Sequence, residues 1–373
     1  MEYRKWYDRD IKTSLLGFGA MRLKTKDGEI DEEKGLALFD HAYQNGINYF
    51  DTAMPYTDGK NETFVGKALK RYPRESFYLA SKLSFGMVNS KEEVLGFLER
   101  QLAGLQTNYL DMYLLHAMNK ERLQNVKEWD VIEILKKWKT EGKIRNIGFS
   151  FHDDYDTFKE VLAMNDWDFV QIQLNYMDTD IQQGIRGYRD LEQRKIPVVV
   201  MEPVKGGKLA TFSPEIAKPF SDYSSASMAS WALRWVGSLP GVKVILSGMN
   251  EMEQMVDNIT TFRDFRPLSV EEYQKIYQVK SALQKAIAVD CTNCRYCLPC
   301  TVGIDIPGNF KVFNGFAMYN NEGDAKRQFS NLIRNSTLLS ECIECGKCAL
   351  ECPQHIRIPE ELKRMLEKMP FLK

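Results

Sequence analysis

Cysteine is missing from the first 290 residues of this chain; all eight lie between Cys291 and Cys352. That absence excludes a disulfide framework, a device of small secreted domains, and leaves the late group to be read as metal-ligating thiols. Net charge is missing too. With 50 Lys and Arg against 51 Asp and Glu the chain stands at −1, which gives no electrostatic case for nucleic acid or an anionic membrane as partner. The first residues, Met-Glu-Tyr-Arg-Lys-Trp, lack the apolar region of a secretory signal. No apolar run approaches the ~20 residues that span a bilayer, so a cytoplasmic protein is expected. The glycine fingerprint of a dinucleotide-binding βαβ unit is also lacking, since Gly17-Phe-Gly19 alone does not make one.

What is present is an alternation. At 373 residues the chain suits one large domain with a smaller one, or two domains. From Ser14 to about Phe262, short β-rich runs alternate with amphipathic stretches of helical length. The pattern predicts strands at Leu15–Met21, Ile47–Ala53, Phe77–Leu83, Tyr109–His116, Ile144–Phe151, Phe169–Asn175, Pro197–Pro203 and Val242–Gly248. Helices are predicted between them, among others at Glu32–Gln44, Lys91–Leu105, Val126–Thr140, Ser225–Val236 and Glu251–Thr261. Eight strands, each followed by a helix, suit an α/β fold, a parallel (β/α)8 TIM barrel closed on itself, with an open doubly wound sheet as the alternative. Residues 1–13 are expected to form a hairpin plugging the barrel's bottom. The barrel domain is expected over residues 1–285 and a small, mostly helical domain over 286–373.

In such a barrel the loops after the strands build the active site. Asp51, Lys82 and His116 close the second, third and fourth strands, and Tyr56 lies in the loop after the second, stiffened by Pro55. Free tyrosine, with a pKa near ~10, exchanges its proton poorly at neutral pH. A neighbouring Lys82 ammonium, oriented by Asp51, is expected to lower that value. Tyr56 can then protonate a carbonyl oxygen that is gaining charge, with His116 hydrogen-bonded to the same oxygen. That is half of a carbonyl reduction; the other half is a hydride donor.

These residues carry a resemblance. Gly17-Phe-Gly-Ala-Met-Arg22, Asp51-Thr-Ala-Met-Pro-Tyr56, Leu79-Ala-Ser-Lys82, Leu110-Asp-Met-Tyr-Leu-Leu-His116, Ile147-Gly-Phe-Ser150, Gln173-Leu-Asn-Tyr176 and the stretch from Gly248 to Asn258 resemble the aldo-keto reductase family. The resemblance implies a barrel that uses NADP or NAD without a Rossmann domain to reduce a small-molecule carbonyl. It implies a catalytic tetrad of Asp51, Tyr56, Lys82 and His116, with Tyr56 as general acid. It also implies cofactor contacts from Gly19, Ser150, Gln173, Met201, Gly248, Asn250, Gln254, Asp257 and Asn258. Phe151 stands where the family has an Asn beside Ser150, and Met201 where an aromatic ring stacks on the nicotinamide. Gly248 and Gln254 stand where some members carry a Lys and an Arg for the 2′-phosphate. The loop Lys205-Gly-Gly-Lys208 is placed to approach a pyrophosphate.

The cysteines fall in two runs. Cys291, Cys294, Cys297 and Cys300 are spaced C-x2-C-x2-C-x2-C; Cys342, Cys345, Cys348 and Cys352 are spaced C-x2-C-x2-C-x3-C and followed by Pro353. The second spacing is that of bacterial ferredoxins, in which the fourth cysteine serves the other cluster. Cys300-Thr-Val-Gly-Ile-Asp-Ile-Pro307 echoes Cys352-Pro-Gln-His-Ile-Arg-Ile-Pro359, which suggests a pseudo-twofold module. Helices expected at Gly308–Tyr319 and Asp324–Asn335 make it resemble the helical dicluster ferredoxins. One 4Fe–4S cluster is then assigned to Cys291, Cys294, Cys297 and Cys352, and a second to Cys342, Cys345, Cys348 and Cys300. Two zinc sites of four thiolates each are the alternative.

Three functions follow. The chain is a nicotinamide-dependent carbonyl reductase whose clusters exchange electrons with a ferredoxin-like or flavoprotein partner; or a reductase with structural or redox-sensing clusters; or a nicotinamide-binding regulatory or interaction module with little turnover. Phe151 and Met201 are the residues that favour the third.

Overall fold

Eight short runs of Val, Ile, Leu and Phe are buried on both faces, as strands of a covered parallel sheet must be. In the computed structural model, which describes residues 1–372, they are β1 (Leu16–Gly19), β2 (Tyr49–Asp51), β3 (Tyr78–Leu83), β4 (Leu110–Met118), β5 (Ile144–Phe151), β6 (Phe169–Gln173), β7 (Val198–Met201) and β8 (Val242–Ser247). They hydrogen-bond in the order β6-β7-β8-β1-β2-β3-β4-β5 and close into a barrel, all pairs parallel. The open sheet is thereby excluded. Helices α1 (Glu32–Gln44), α2 (Asn61–Leu69), α3 (Lys91–Gly104), α4 (Val131–Thr140), α5 (Tyr155–Leu162), α6 (Gly184–Gln193), α7 (Met228–Gly237) and α8 (Met252–Arg263) accompany the strands.

Tyr3–Lys5 pairs antiparallel with Lys12–Ser14. Between them Trp6 is fully buried in a cluster with Tyr49, Met112, Leu114, Phe169 and Val244, its indole N–H donating to Thr13 Oγ1 at 2.9 Å. The hairpin therefore plugs the barrel with an indole. One element differs from expectation: Val126–Thr140 is not a single helix. A first helix, Lys120–Glu128, ends before Asp130, which takes a left-handed φ of 51°, and α4 follows. The apolar positions explain the break. Leu123 and Val126 are followed by Val131, Ile134, Leu135 and Trp138, and the step of five between Val126 and Val131 leaves the helical stripe.

The chain divides into two compact units, Met1–Gly206 with Ala229–Ser269, and Gly207–Met228 with the chain from Val270 on. Helix α9 (Val270–Lys285), assigned above to the barrel domain, groups with the second unit, where it packs on Pro214–Ser221. That unit also contains α10 (Ile306–Tyr319), α11 (Glu322–Leu332) and α12 (Ile358–Lys368) around Ile304, Phe310, Phe313, Phe329, Leu362 and Met365.

The internal repeat of the second unit is written in its backbone. Asn293 and Glu344 are both left-handed (φ 58° and 52°), as are Arg295 and Gly346 (66° and 73°), and Gly303 and His355 (85° and 53°). The amide of Gly303 donates to Cys300 O and that of His355 to Cys352 O, each at 3.0 Å. Pro307 and Pro359 each open a helix, where the missing N–H costs nothing. Among the described residues no helix is long and apolar enough to cross a membrane.

Candidate active site and cysteine cavities

Parallel strands leave their carboxyl ends at one rim, and the register places the chemistry there. Asp51 ends β2, Lys82 is next to last in β3, and His116 lies near the end of β4. Lys82 is fully buried, and its Nζ donates to both carboxylate oxygens of Asp51 at 2.7 and 2.8 Å and to Thr52 O at 2.8 Å. Burial alone would pull the ammonium down; Asp51 and Tyr56 outweigh it, and its pKa lies above the ordinary lysine value. The same Nζ is 5.2 Å from the ring centroid of Tyr56, whose ring meets that of His116 edge-on with centroids 5.8 Å apart. The four residues are thus brought together.

Two local devices aim the rings. Tyr56 sits at the head of a turn in which Thr57 and Asp58 are left-handed, and Asn61 at the start of α2 pins it. The fully buried Asn61 accepts from Thr52 Oγ1 at 2.7 Å and donates to Ala20 O at 2.9 Å and Thr57 Oγ1 at 3.2 Å. On β4 the ladder to β5 shifts register between Leu115 and Met118, and Ala117 is left-handed at 52°. Such a bulge re-aims a neighbouring side chain. The hydroxyl of Ser150 holds it, accepting from the Ala117 N–H at 2.7 Å.

The electrostatics correct one expectation. Lys82 does draw the Tyr56 phenol down, but burial outweighs it, Asp51 acts in the same sense as burial, and the net shift is upward. Tyr56 therefore keeps its proton through the neutral range. Burial and then the charges of Lys82, Arg122 and His152 hold His116 at about 3, a neutral imidazole. Its Nδ1 shares a hydrogen bond with Ser84 Oγ at 2.8 Å, which leaves Nε2 for the pocket.

Gly19, Ser150, Gln173, Met201 and Gly248 continue round the same rim, at or just beyond the ends of β1, β5, β6, β7 and β8. Gln173 is engaged: its Nε2 donates to Asp178 Oδ2 at 3.2 Å and its Oε1 accepts from Gln182 at 3.1 Å. One N–H and one lone pair are left for a carboxamide. Gln171 Nε2 donates to Met201 Sδ at 3.4 Å, and Phe151 is fully buried in the core. At the start of α8, Gln254 Oε1 accepts from the Asn250 N–H at 3.0 Å, and the buried Asn258 donates to Ser247 Oγ at 2.9 Å. Asp257 is half-buried on the same helix.

The structure adds residues that the motifs did not name. Arg22 is ion-paired with Glu202 at 3.2 Å, and its aliphatic stem lies where a side chain at residue 248 would stand. Lys24 is ion-paired with Glu251, and Lys205 with Asp178 at 2.5 Å. Lys208, expected beside Lys205, is paired within the second unit with Asp324 at 3.1 Å. Asn61 had no capping signal, since Lys60 is the N-cap of α2 and no side chain caps it. Asp178 had no sequence signal, because only the closed barrel brings it to Lys205.

No disulfide joins the eight cysteines, and they line two cavities in the second unit. Cys291, Cys294, Cys297 and Cys352 surround one; Cys300, Cys342, Cys345 and Cys348 surround the other. Ile306 lines both. Among the described residues, no three or more of His, Cys, Asp and Glu are arranged to hold a single metal ion. Zinc, with Zn–S bonds of about 2.3 Å, needs its four sulfurs within about 4 Å of one another.

The sequence profile of the Aldo/keto reductase family matches residues 15–281. The chain belongs to the aldo-keto reductase family. With that membership goes its class, an NAD(P)-dependent oxidoreductase. In this aldo-keto reductase a second profile, that of a 4Fe-4S dicluster domain, matches residues 290–356. A probable aldo-keto reductase of Glycine max is 33% identical over 47% of this chain and 52% of that protein, so the match spans about half of that relative. The aldo-keto reductase YhdN of Bacillus subtilis is 27% identical over 68% of this chain and 87% of its own. Among solved structures, an aldo-keto reductase from Bacillus halodurans in holo form superposes with a TM-score of 0.63 at 28% identity, covering 75% of this chain and 96% of that one. One from Klebsiella pneumoniae in complex with NADPH gives 0.60 at 25%, covering 72% and 92%.

Proposed function

We propose that this protein reduces a small carbonyl compound with a nicotinamide cofactor, that Tyr56 is the general acid, and that its cysteine cavities hold two 4Fe–4S clusters. The observation that carries the first part is the fully buried Lys82–Asp51 pair beside a phenol that stays protonated. When bound, the nicotinamide supplies the hydride. Tyr56 Oη gives its proton to the oxygen as negative charge develops there, the neutral His116 hydrogen-bonds that oxygen, and Lys82 stabilises the phenolate left behind. Asp51 keeps the ammonium charged and in place. Ser150 and Gln173, each with hydrogen-bonding capacity to spare, are assigned to the carboxamide.

Cofactor choice follows from charge. Arg22 and Lys24 each face a carboxylate, Glu202 and Glu251, and Gly248 and Gln254 bring no cation. A 2′-phosphate would find no unpaired cation among these residues, whereas Glu251 suits the hydroxyls of an unphosphorylated ribose. NADH is the proposed cofactor.

The 4Fe-4S dicluster profile over residues 290–356 and the four thiols that surround each cavity support clusters over zinc. Clusters bound there carry one electron each, exchanged with a carrier of the ferredoxin or flavoprotein class. Tyr56→Phe tests the enzyme reading. Carbonyl-dependent NADH oxidation should fall by at least about 100-fold while NADH binding, read by fluorescence, persists. Unchanged turnover would remove Tyr56 from the chemistry. Negligible turnover in the wild type with tight NADH binding would favour the regulatory module instead.

A further inference from the structure

Because the two halves of the cysteine module follow one repeat, their differences can be read position by position. Cys291, Cys294 and Cys297 of the first cavity correspond to Cys342, Cys345 and Cys348 of the second, and the crossing Cys352 to Cys300. Pro307 and Phe310 correspond to Pro359 and Leu362. Against that common frame the first cavity is lined by Thr292, Arg295 and Gln354 where the second presents Ile343, Gly346 and Val302. At these three positions the first cavity has one cation and two polar side chains, all solvent-exposed at its rim, where the second has neutral, apolar residues; the rest of both linings is mainly apolar.

Arg295 is the sharpest of these differences. It takes the left-handed backbone (φ 66°) that the repeat fills with glycine at Gly346 (φ 73°). That conformation is free for glycine and costly for a residue with a Cβ. A fixed cation and polar side chains beside an iron–sulfur cluster favour the reduced form, which is more negative by one charge; apolar walls favour the oxidised form.

We propose that the cluster site of Cys291, Cys294, Cys297 and Cys352 has the higher reduction potential of the two, and that Arg295 sets the gap. The proposal rests on reading both cavities as 4Fe–4S sites. The first electron from a one-electron carrier then resides beside Arg295, and the second enters beside Gly346. Two features of the second cavity act in the other sense. Thr301 Oγ1 lies 3.5 Å from Cys345 Sγ, and Lys347 follows Gly346. The first is a long contact from a neutral group, and Lys347, exposed as Arg295 is, differs from it in not lining the cavity.

The test is a dithionite titration of the anaerobically purified full chain, followed by EPR, with iron and sulfide analysis alongside. Two one-electron steps are expected. Arg295→Gly, which keeps the backbone of the repeat, should lower the upper step by about tenfold in its equilibrium constant, about 59 mV, and leave the lower step in place. Arg295→Lys should retain most of the gap, and Gly346→Arg should raise the lower step. A single unresolved step from two intact clusters, or an Arg295→Gly shift confined to the lower step, would overturn the proposal. Absence of iron and sulfide would sink the cluster reading itself, and this inference with it.

Discussion

In the proposed reaction Tyr56 and His116 divide the labour through opposite responses to burial. Burial raises the phenol and lowers the imidazole, so at neutral pH both are uncharged, one carrying a proton to give and the other able to bridge to an oxygen. The sign fixes a pH profile. With Tyr56 as the proposed general acid, reduction requires its protonated form, so kcat/KM should be flat from pH 5 to 8, with no histidine inflection near ~6.5, and should fall only as pH rises through a value above ~10. An inflection near neutrality that vanishes in His116→Gln would show that His116 titrates in the working range. The neighbourhood of α8 gives a second outcome at this scale. Glu251→Gln should narrow the preference for NADH over NADPH by about tenfold, equivalent to about 1.4 kcal/mol, in paired binding titrations. An unchanged ratio would remove Glu251 from cofactor choice. The meeting of Asp51, Tyr56, Lys82 and His116 was legible because three of them stand at strand ends and the fourth in the loop after one of those strands. The direction of Tyr56 was not, because burial is a property of the closed fold and cannot be read from neighbours in sequence. The pairing of Arg22, Lys24 and Lys205 with carboxylates escaped for the same reason, since Glu202, Glu251 and Asp178 come from distant loops.

Among the elements, the loop from β2 to α2 has the hardest task, since it must present a half-buried phenol over an ammonium. Asn61 is its tie, joining Thr52, Thr57 and Ala20 from three segments of chain. Removing the amide leaves the Thr52 hydroxyl and Ala20 carbonyl without their partner, a loss of about 1–3 kcal/mol for each buried group left unpaired. Asn61→Ala should therefore lower the melting temperature. Through misplacement of Tyr56 it should lower kcat by roughly 10- to 100-fold while the Kd for NADH changes little. If Kd rises in step with the loss of kcat, Asn61 acts on the cofactor and not on the loop. Strand and helix positions were largely readable, because short continuous apolar runs mark strands buried on both faces and a 3.6-residue period marks helices buried on one. Ile144–Phe151 and Glu32–Gln44 match residue for residue. The period fails where an element bends: the break at Asp130 and the bulge at Ala117 both depend on left-handed residues that are neither glycine nor asparagine.

The molecule as a whole combines two ways of being stable. The barrel buries a large continuous core, from Leu15 to Phe262, and needs no staple. The cysteine unit gathers its apolar residues around Ile306, Phe310, Leu362 and Met365, and its cysteines other than the exposed Cys294 and Cys345 belong to or pack against the same cluster. Four thiols surround each cavity, so a group bound to them would cross-link the two runs of the repeat, Cys300 to one half and Cys352 to the other. Binding energy of that kind is folding energy, because the ligand set does not exist in the unfolded chain. Anaerobic removal of iron should therefore raise hydrogen exchange in α10 and α12 by orders of magnitude, while β4 in the barrel stays protected and NADH binding persists. Equal protection of α10 and α12 with and without iron would mean that this small core stands alone. The thiols would then serve electron transfer only, and the crossing of Cys300 and Cys352 would need an explanation other than stability.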